Sequence, residues 1–305
     1  MKTLLISLVI SLNSYALVDY SDSSETTNSR ITKRSAPAAT KVPVNRTTSR
    51  QSQPSRGFDR YLELSTSFGS LDYGNDERSG KVDQLLVKGK IETDYNIFLK
   101  FEQPFYSGKF KNQAKSVSNE RGNASVVLGL NWFEYGSSSD AITIDIHAGA
   151  RFGGSGEFAS KRTDKIVGVE TSKRFYNFAL SLGYELTLTG DSEDDTEQDI
   201  GNINTLKAQI GWLVSNDISF VLTGATVALA KSNNTSKSYI LDKEIKYSYV
   251  RPELILGLGG GVDLTLASLF RTRRAKSEDI SSQLKLWNTP GLYGNSITAG
   301  LSFSI

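Results

Sequence analysis

The chain of 305 residues contains no cysteine and a single histidine, His147. Without cysteine it has no disulfide framework, no thiolate metal site and no lipid-modified cysteine behind a signal peptide. One histidine excludes a histidine-rich metal centre, and we expect no metal and no other cofactor. The formal net charge is only +2, so the composition gives no reason to expect a nucleic-acid partner.

The sequence also lacks an apolar run of about 20 residues, the length that a helix needs to cross a bilayer. Its amino terminus has a shorter run, residues 4–12, which follows Lys2 and precedes the small-x-small triplet Ser14-Tyr15-Ala16. A basic start, a short apolar stretch and such a triplet are typical of a secretory signal peptide. We therefore expect residues 1–16 to be removed and the mature chain to begin near Leu17.

Residues 17–57 are poor in large apolar side chains and rich in Ser, Thr, Asn, Arg and Pro. Such a segment cannot bury enough apolar surface to offset the entropy lost on ordering. It is predicted to be a disordered basic linker ahead of the folded domain, residues 58–305.

From Arg60 onward, apolar residues recur with a period of two, which places them on one face of a β-strand. Several alternating segments are long enough to cross a bilayer as tilted strands of about 9 to 11 residues. The pattern predicts an all-β fold: a single antiparallel transmembrane β-barrel of about twelve strands. The predicted strands are residues 61–69, 84–92, 95–103, 124–134, 142–152, 166–173, 176–188, 205–214, 218–230, 247–258, 262–271 and 296–305.

Short and long connections alternate between these segments, as periplasmic turns and extracellular loops do in such barrels. An extra apolar piece, residues 284–287, is assigned to a loop, because an additional crossing would make the strand number odd. The predicted long loops are residues 70–83, 104–123, 153–165, 190–204, 231–243 and 272–295.

The two faces of the predicted strands differ in a way that distinguishes a membrane barrel from a soluble one. A membrane barrel turns its apolar face to lipid, with aromatic girdles at both interfaces, and its polar face to the lumen. The predicted girdle residues are Phe68, Tyr95, Phe101, Trp132, Phe152, Tyr176, Trp212, Phe270 and Phe303. The predicted lumen residues are Lys88, Lys90, Lys100, Asp145, His147, Arg151, Glu170, Glu185, Lys207, Arg251, Glu253 and Asp263.

The last segment alternates up to Leu301, Phe303 and Ile305. It resembles the terminal strand by which barrel-assembly machinery recognises bacterial outer-membrane proteins, except that an aromatic residue is usual at the last position. Residues 58–305 as a whole resemble bacterial outer-membrane β-barrels in architecture, without identifying a subfamily. The resemblance implies an outer-membrane location, with lipid, lipopolysaccharide and the assembly machinery as partners.

Two groups of residues contain side chains that could carry out chemistry or bind a metal ion. Asp145 and His147 project to the same strand face, as an acid–base pair would, but the motifs of outer-membrane phospholipases and aspartyl proteases are absent. We therefore expect no enzymatic activity and interpret His147 as a hydrogen-bonded lumen residue. The acidic residues between 191 and 199 suit a hard cation but lack the spacing of a calcium-binding loop. They are interpreted as a solvated surface loop.

The lumen of a twelve-stranded barrel lies between the filled interior of 8 strands and the open channel of 16 to 18. A small diffusion channel or substrate-selective porin for small solutes is therefore the leading hypothesis. A closed barrel that displays its loops for adhesion or envelope structure is the alternative. Gly129, Ser181 and Gly183 would leave space inside, whereas Phe98, Phe133, Tyr247 and Tyr249 would fill it.

Overall fold

A computed structural model of the chain describes residues 60–74, 79–93, 95–110, 117–137, 140–192, 195, 197–234, 237, 239–276, 280 and 284–304. The predicted signal peptide, the predicted linker and Ile305 lie outside these ranges. Among the described residues, no helix is long and apolar enough to span a membrane.

The described chain is built from β-strands joined by turns and loops. The strands are β1 (Arg60–Gly74), β2 (Ser79–Thr93), β3 (Ile97–Phe110), β4 (Val117–Arg121), β5 (Ser125–Ser137), β6 (Asp140–Arg151), β7 (Asp164–Phe175), β8 (Phe178–Leu188), β9 (Ile203–Ser215), β10 (Ile218–Leu229), β11 (Ile245–Gly259), β12 (Val262–Arg273) and β13 (Ser296–Ser304).

These strands form one closed barrel. Each long strand pairs antiparallel with its neighbours in the chain, β1 pairs with β13, and β2 pairs with β3, so that no edge is left open. Strand β4 is additional to the twelve long strands. It pairs with the carboxyl-terminal part of β3, whereas β5 pairs with the amino-terminal part of β3. The prediction of a single antiparallel barrel of twelve strands is confirmed, with one short extra strand.

The two ends of the barrel differ in their connections. Tight turns join β7 to β8 and β9 to β10 at one end, here called the turn end. At the other end, the loop end, the first connection joins β1 to β2. The longer connections that follow are L2 (residues 111–124), L3 (152–163), L4 (189–202), L5 (230–244) and L6 (274–295). No strand forms at residues 284–287, which lie in L6 as predicted.

Two of the predicted long loops are wrong. In place of a loop over 70–83, β1 continues to Gly74 and β2 begins at Ser79, with Leu71 opposite Val82. In place of a loop over 104–123, β3 continues to Phe110 and L2 contains β4. The strands extend because Tyr73, Val82 and Tyr106 are buried in apolar packing at the loop end, which supports paired backbone beyond the alternating segments.

Side chains alternate between the inside and the outside of the barrel. On β8, Ser181 is 6% exposed and its neighbour Leu182 is 59% exposed. Because residues opposite each other in a ladder share a face, the register carries this assignment from strand to strand around the barrel. The outer surface is therefore apolar and the inner surface polar over most of the barrel.

A β-bulge in β5 changes the side to which one predicted lumen residue points. Asn131 pairs with Asp145 and Phe133 pairs with Ile144, so that Trp132 is the extra residue. Beyond the bulge the alternation is shifted by one, and both Trp132 and Phe133 are exposed on the outer surface. The prediction that Phe133 fills the lumen is therefore wrong.

Candidate functional site: the lumen and its plug

The structure places the predicted lumen residues on the inner face of the barrel. Asp145 lies opposite Glu170, Glu170 opposite Gly183, and Gly183 opposite Lys207, in one row across four strands. The same registers put the others on this face: Lys88, Lys90, Lys100, His147, Arg151, Glu185, Arg251, Glu253 and Asp263. The inner wall thus carries both signs of charge along its length.

Most of these charges face a partner on the same wall. Lys88 Nζ lies 3.0 Å from Glu102 Oε1, and Arg251 Nη2 lies 3.1 Å from Glu253 Oε2. Lys207 Nζ lies 3.0 Å from Glu170 Oε2, while the Ser181 hydroxyl donates to the other oxygen of Glu170 at 2.8 Å. Pairing of this kind leaves little net field of one sign along the lumen.

The structure places an acid from another strand beside His147. Its Nε2 lies 3.7 Å from Glu185 Oε2 on β8, whereas Asp145 lies opposite Glu170. The imidazole lies against Gly168, where an added Cβ would meet Nε2 at 2.4 Å. The glycine therefore makes room for the ring, and the arrangement holds the imidazole beside a carboxylate on the lumen wall.

Phe98 narrows one side of the lumen. Its ring covers Gly129, where an added Cβ would lie 2.0 Å from the ring. The ammonium groups of Lys90 and Lys100 lie 5.5 and 4.6 Å from the ring centroid, within the range of a cation–π contact. An aromatic ring and two cations are thus fixed together on the wall of β2 and β3.

The loop end of the lumen is filled by apolar side chains. Buried residues from the upper inner wall, such as Leu229 and Tyr247, pack against buried residues from the loops, such as Leu241 and Leu292. At the centre is a group that we call the aromatic plug: Tyr73, Tyr106, Phe158, Trp287 and Tyr293. The hydrophobic core of this barrel therefore sits inside its mouth.

The rings of the aromatic plug contact one another around Trp287. The Trp287 ring lies 4.3 Å from that of Tyr293, 4.9 Å from Phe158 and 5.0 Å from Tyr73 between centroids. Aromatic pairs at these separations contribute about 0.5–1.5 kcal/mol each beyond their burial. The plug thus links L3 and L6 to the ends of β1 and β3.

Hydrogen bonds also connect L2, L3 and L6. The Asn288 side-chain amide donates to the Asn123 carbonyl at 2.7 Å, and the Tyr106 hydroxyl donates to Asn288 Oδ1 at 3.1 Å. The side chain of Asn123 makes two hydrogen bonds to the backbone of Ser160: its Nδ2 donates to the carbonyl at 2.7 Å, and its Oδ1 accepts from the backbone amide at 2.8 Å. L2, L3 and L6 are therefore held together by hydrogen bonds as well as by packing.

A buried carboxylate joins L4 to L3. Glu197 has no exposed surface; it accepts from the Lys161 backbone amide at 3.0 Å and from the Ser192 hydroxyl at 2.7 Å. Arg162 Nη1 lies 3.4 Å from Glu197 and its Nε 3.2 Å from Asp164. Breaking a buried ion pair costs about 3–5 kcal/mol, so this group holds the loops firmly.

This geometry corrects part of the interpretation of the acidic loop: Asp191 and Asp195 are exposed, as expected, whereas the two described acids that follow them are not. Glu197 and Asp199 are buried, and Asp199 accepts a hydrogen bond from the Ser232 hydroxyl. L4 is thus folded onto L3 and L5 at these positions, because its carboxylates find buried hydroxyl and guanidinium partners. Glu193 and Asp194 lie outside the described residues.

On the outer surface, the predicted girdle residues lie on the apolar face. Tyr95, Trp132 and Tyr176 are strongly exposed near the turn end. Phe101 is half-buried, because its ring covers Gly89 on the neighbouring strand. The others, Phe68, Phe152, Trp212, Phe270 and Phe303, are also exposed. Leu301 and Phe303 lie on the outer face of β13, opposite Thr66 and Leu64.

Solved structures share this architecture. An outer-membrane channel from Pseudomonas putida F1 superposes with a TM-score of 0.58 at 10% sequence identity, covering 81% of this chain and 95% of that one. The chain has the fold of a bacterial outer-membrane β-barrel. OccD3 from Pseudomonas aeruginosa (TM-score 0.41, 9% identity, 81% and 91% covered) and the NalP translocator domain from Neisseria meningitidis (0.39, 10%, 82% and 90%) are more distant. No protein-family model and no curated protein sequence matches.

The plug of this outer-membrane-type barrel is the part that sequence reasoning missed. Two signals pointed to it: the inward positions near the loop end are apolar, as at Val227 and Tyr247, and L6 contains Leu284, Trp287 and Leu292. Apolar residues on both the inner wall and a loop at the same end favour contact between them.

Proposed function

We propose that the chain is a bacterial outer-membrane channel for small hydrophilic solutes whose mouth at the loop end is closed by the aromatic plug. The observation that carries the proposal is the ion-paired inner wall. Inside the barrel, the side chains of Glu102 and Glu185 keep 40% and 41% exposure beside Lys88 and His147. Charged groups at this density need water or partners; here they have partners and keep surface that water can reach. A hydrated lumen is a path for polar solutes.

The size of the barrel agrees with a narrow path. Twelve strands give a diameter between that of 8-stranded barrels, filled by side chains, and that of 16-stranded porins. The side chains of Phe98, Lys90 and Lys100 narrow the lumen further. The proposed solutes are therefore small, and Asp145 and His147 act as wall residues without a catalytic role.

In this proposal the loop end faces the cell exterior and the turn end faces the periplasm, as the lengths of the connections favour. Passage requires the aromatic plug to move away from the mouth. L6 is the element to move, because it carries Trp287 and Tyr293 and contacts the rest of the plug through side chains. The plug then acts as a gate.

The test is single-channel conductance of the refolded full chain in planar bilayers. We expect the wild-type protein to be mostly closed and Trp287→Ala to conduct in long openings, because the substitution removes the ring shared by the plug. Tyr239→Ala, which removes an exposed aromatic ring from L5, is the matched control and should behave as wild type. Folding of each variant is verified by heat-modifiable migration in dodecyl sulfate.

A second function, a closed barrel that displays its loops, is favoured by the plug itself. Buried rings and the buried Glu197 fill the mouth, as side chains fill a protein core. If folded Trp287→Ala and a Trp287→Ala/Tyr293→Ala double variant both fail to conduct, the channel proposal is refuted and the display function stands.

A further inference from the structure

The carboxylate of Glu185 lies on the inner wall and is accessible from the lumen. Its side chain keeps 41% exposure, and its Oε2 lies 3.7 Å from Nε2 of His147, which is longer than a hydrogen bond. Among the residues that the structure describes, none donates a hydrogen bond to this carboxylate. The Glu185 oxygens can therefore accept hydrogen bonds from a group that enters the lumen.

The partner of Glu185 differs in kind from the partners of other acids on this wall. Three of those acids pair with a lysine or an arginine at 3.0–3.1 Å: Glu102 with Lys88, Glu170 with Lys207 and Glu253 with Arg251. Lysine and arginine stay charged over the physiological range of pH, whereas a histidine gains and loses its charge within it. When the imidazole of His147 is neutral, Glu185 remains an accessible negative charge.

Glycines leave space around this pair. Gly168 on β7 lies opposite both His147 on β6 and Glu185 on β8, so it contributes no side chain between them. On the other side of His147, β5 contributes Gly129, which is covered by the ring of Phe98. The imidazole and the carboxylate are thus side by side on an otherwise bare part of the wall.

Other charged groups share the inner face around His147. They are Asp145 and Arg151 on β6, Glu170 on β7, Lys207 on β9 and Lys100 on β3. Lys207 lies 3.0 Å from Glu170, and Arg151 lies 3.5 Å from Asp164. These two cations are compensated by acids other than Glu185. The charge on His147 therefore decides how much of the Glu185 charge is available to a solute.

We infer that Glu185 and His147 form a binding site for the ammonium group of a small organic cation, and that protonation of His147 closes this site. The inference rests on the proposed function and names a class of solute for that lumen. An ammonium group donates charge-assisted hydrogen bonds to a carboxylate, and the exposed Glu185 oxygens can accept them. An imidazolium at His147 pairs with the same carboxylate, so a proton and the solute compete. Because the paired acids elsewhere on the wall offer less net charge, binding is local to Glu185.

The experiment measures equilibrium binding of ethanolammonium to the refolded full chain in a non-ionic detergent by ligand-observed NMR. Ethylene glycol and glycolate are the neutral and anionic probes of similar size. Wild type and Trp287→Ala are both measured, so that a closed mouth does not prevent access. Folding of all variants is verified by heat-modifiable migration.

The inner wall supplies a matched control for Glu185. At about pH 8 we expect Glu185→Gln to raise the dissociation constant for ethanolammonium at least about tenfold, because the substitution removes the charge of the acceptor. Glu102 is equally exposed, at 40%, but pairs with Lys88. Glu102→Gln should therefore bind ethanolammonium as wild type does.

Acid should weaken binding through His147. At about pH 5.5, below the ordinary histidine pKa of about 6.5, we expect wild type to bind about tenfold more weakly than at the higher pH. His147→Gln should bind equally at the two pH values, within about twofold. His147 is the only histidine, so its imidazole gives a single NMR signal, and ethanolammonium should shift that signal at the higher pH.

The inference fails if Glu185→Gln binds like wild type, or if Glu102→Gln loses as much affinity, which would indicate a general attraction of the lumen for cations. It also fails if ethylene glycol or glycolate binds as well as ethanolammonium, or if His147→Gln keeps the full pH dependence. Binding at equilibrium does not require conduction. A chain that binds ethanolammonium but does not conduct refutes the channel and leaves the site, whereas a conducting chain without this binding refutes the inference alone.

Discussion

The indole ring of Trp287 stacks on the phenol ring of Tyr293, with centroids 4.3 Å apart and planes 25° from parallel. The Tyr293 oxygen in turn accepts a hydrogen bond from the Leu286 backbone amide at 2.9 Å. The residue before Trp287 is thus tied to the ring on which Trp287 rests. This short segment of L6 is therefore a fixed unit, and its rigidity can be measured.

Replacing Tyr293 with Phe should loosen this unit while preserving the stacking. The variant leaves the buried Leu286 amide without its acceptor, which costs about 1–3 kcal/mol. If the amide exchanges by local opening, its hydrogen exchange should become roughly 5 to 150 times faster. Tyr239→Phe, at an exposed ring in L5, should leave the exchange of Leu286 unchanged. Unchanged exchange in Tyr293→Phe would show that the hydrogen bond does not hold L6.

The plug should also loosen at high pH. Burial raises the pKa of Tyr293 well above its ordinary value, and the hydrogen bond from Leu286 opposes this only in part. The folded plug therefore favours the neutral phenol; its stabilisation is complete below a pH of about 10 and is lost as the pH rises further. Above this pH, acrylamide should quench Trp287 fluorescence more strongly. The measurement uses a Trp132→Phe/Trp212→Phe background, in which Trp287 is the remaining tryptophan. Tyr293→Phe should show a smaller increase, and an identical pH profile would contradict this assignment.

The selectivity of the opened lumen should depend on Lys207. In a Trp287→Ala background we expect weak discrimination between cations and anions, because the wall charges are paired. Lys207→Gln removes the cation that lies 3.0 Å from Glu170 and should shift the reversal potential towards cation selectivity. Lys173→Gln is the control, because Lys173 pairs with Asp140 outside the lumen. A shift towards anions, or an equal shift in both variants, would be inconsistent with a lumen lined by Lys207.

The two faces of β8 should respond differently to a new charge. Leu182→Arg places a cation on the outer face, where a bilayer midplane imposes about 2–4 kcal/mol. Ser181→Arg places it on the inner wall beside Glu170, where it meets an acceptor. The yield of heat-modifiable, folded protein should fall strongly only for Leu182→Arg. Equal yields would mean that the outer surface is not in contact with lipid.

The alternation of apolar and polar residues was sufficient to predict the barrel, because a period of two assigns each residue of a strand to one face. It holds for Ser181 and Leu182, and it assigns Asp145, Glu170 and Lys207 to one wall, where the ladder places them in one row. A β-bulge interrupts this alternation of faces, and the order of apolar and polar residues in the sequence does not show where the bulge occurs. Trp132 is an extra residue, and Phe133 therefore turns outwards.

Apolar positions on the inner wall and in L6 indicate that the two meet, but the individual contacts of the plug could not be predicted, because loops have no period from which to infer them. The residues 284–287 were recognised as apolar, but only the structure shows that Trp287 contacts Tyr73 and Phe158 inside the mouth. The burial of Glu197 was equally hidden, since its partners Ser160 and Arg162 belong to a different loop. Pairings between loops depend on the closed barrel that brings them together.

The seam between β1 and β13 joins two distant parts of the sequence, with Phe68 opposite Ala299 and Leu64 opposite Phe303. Loop-closure entropy over such a separation makes this contact slow to form. Until β13 arrives, β1 and β12 each expose a row of unpaired backbone groups, which is a template for aggregation. Protecting these two edges until β13 pairs with them would favour correct folding, and closure of the seam removes both edges at once.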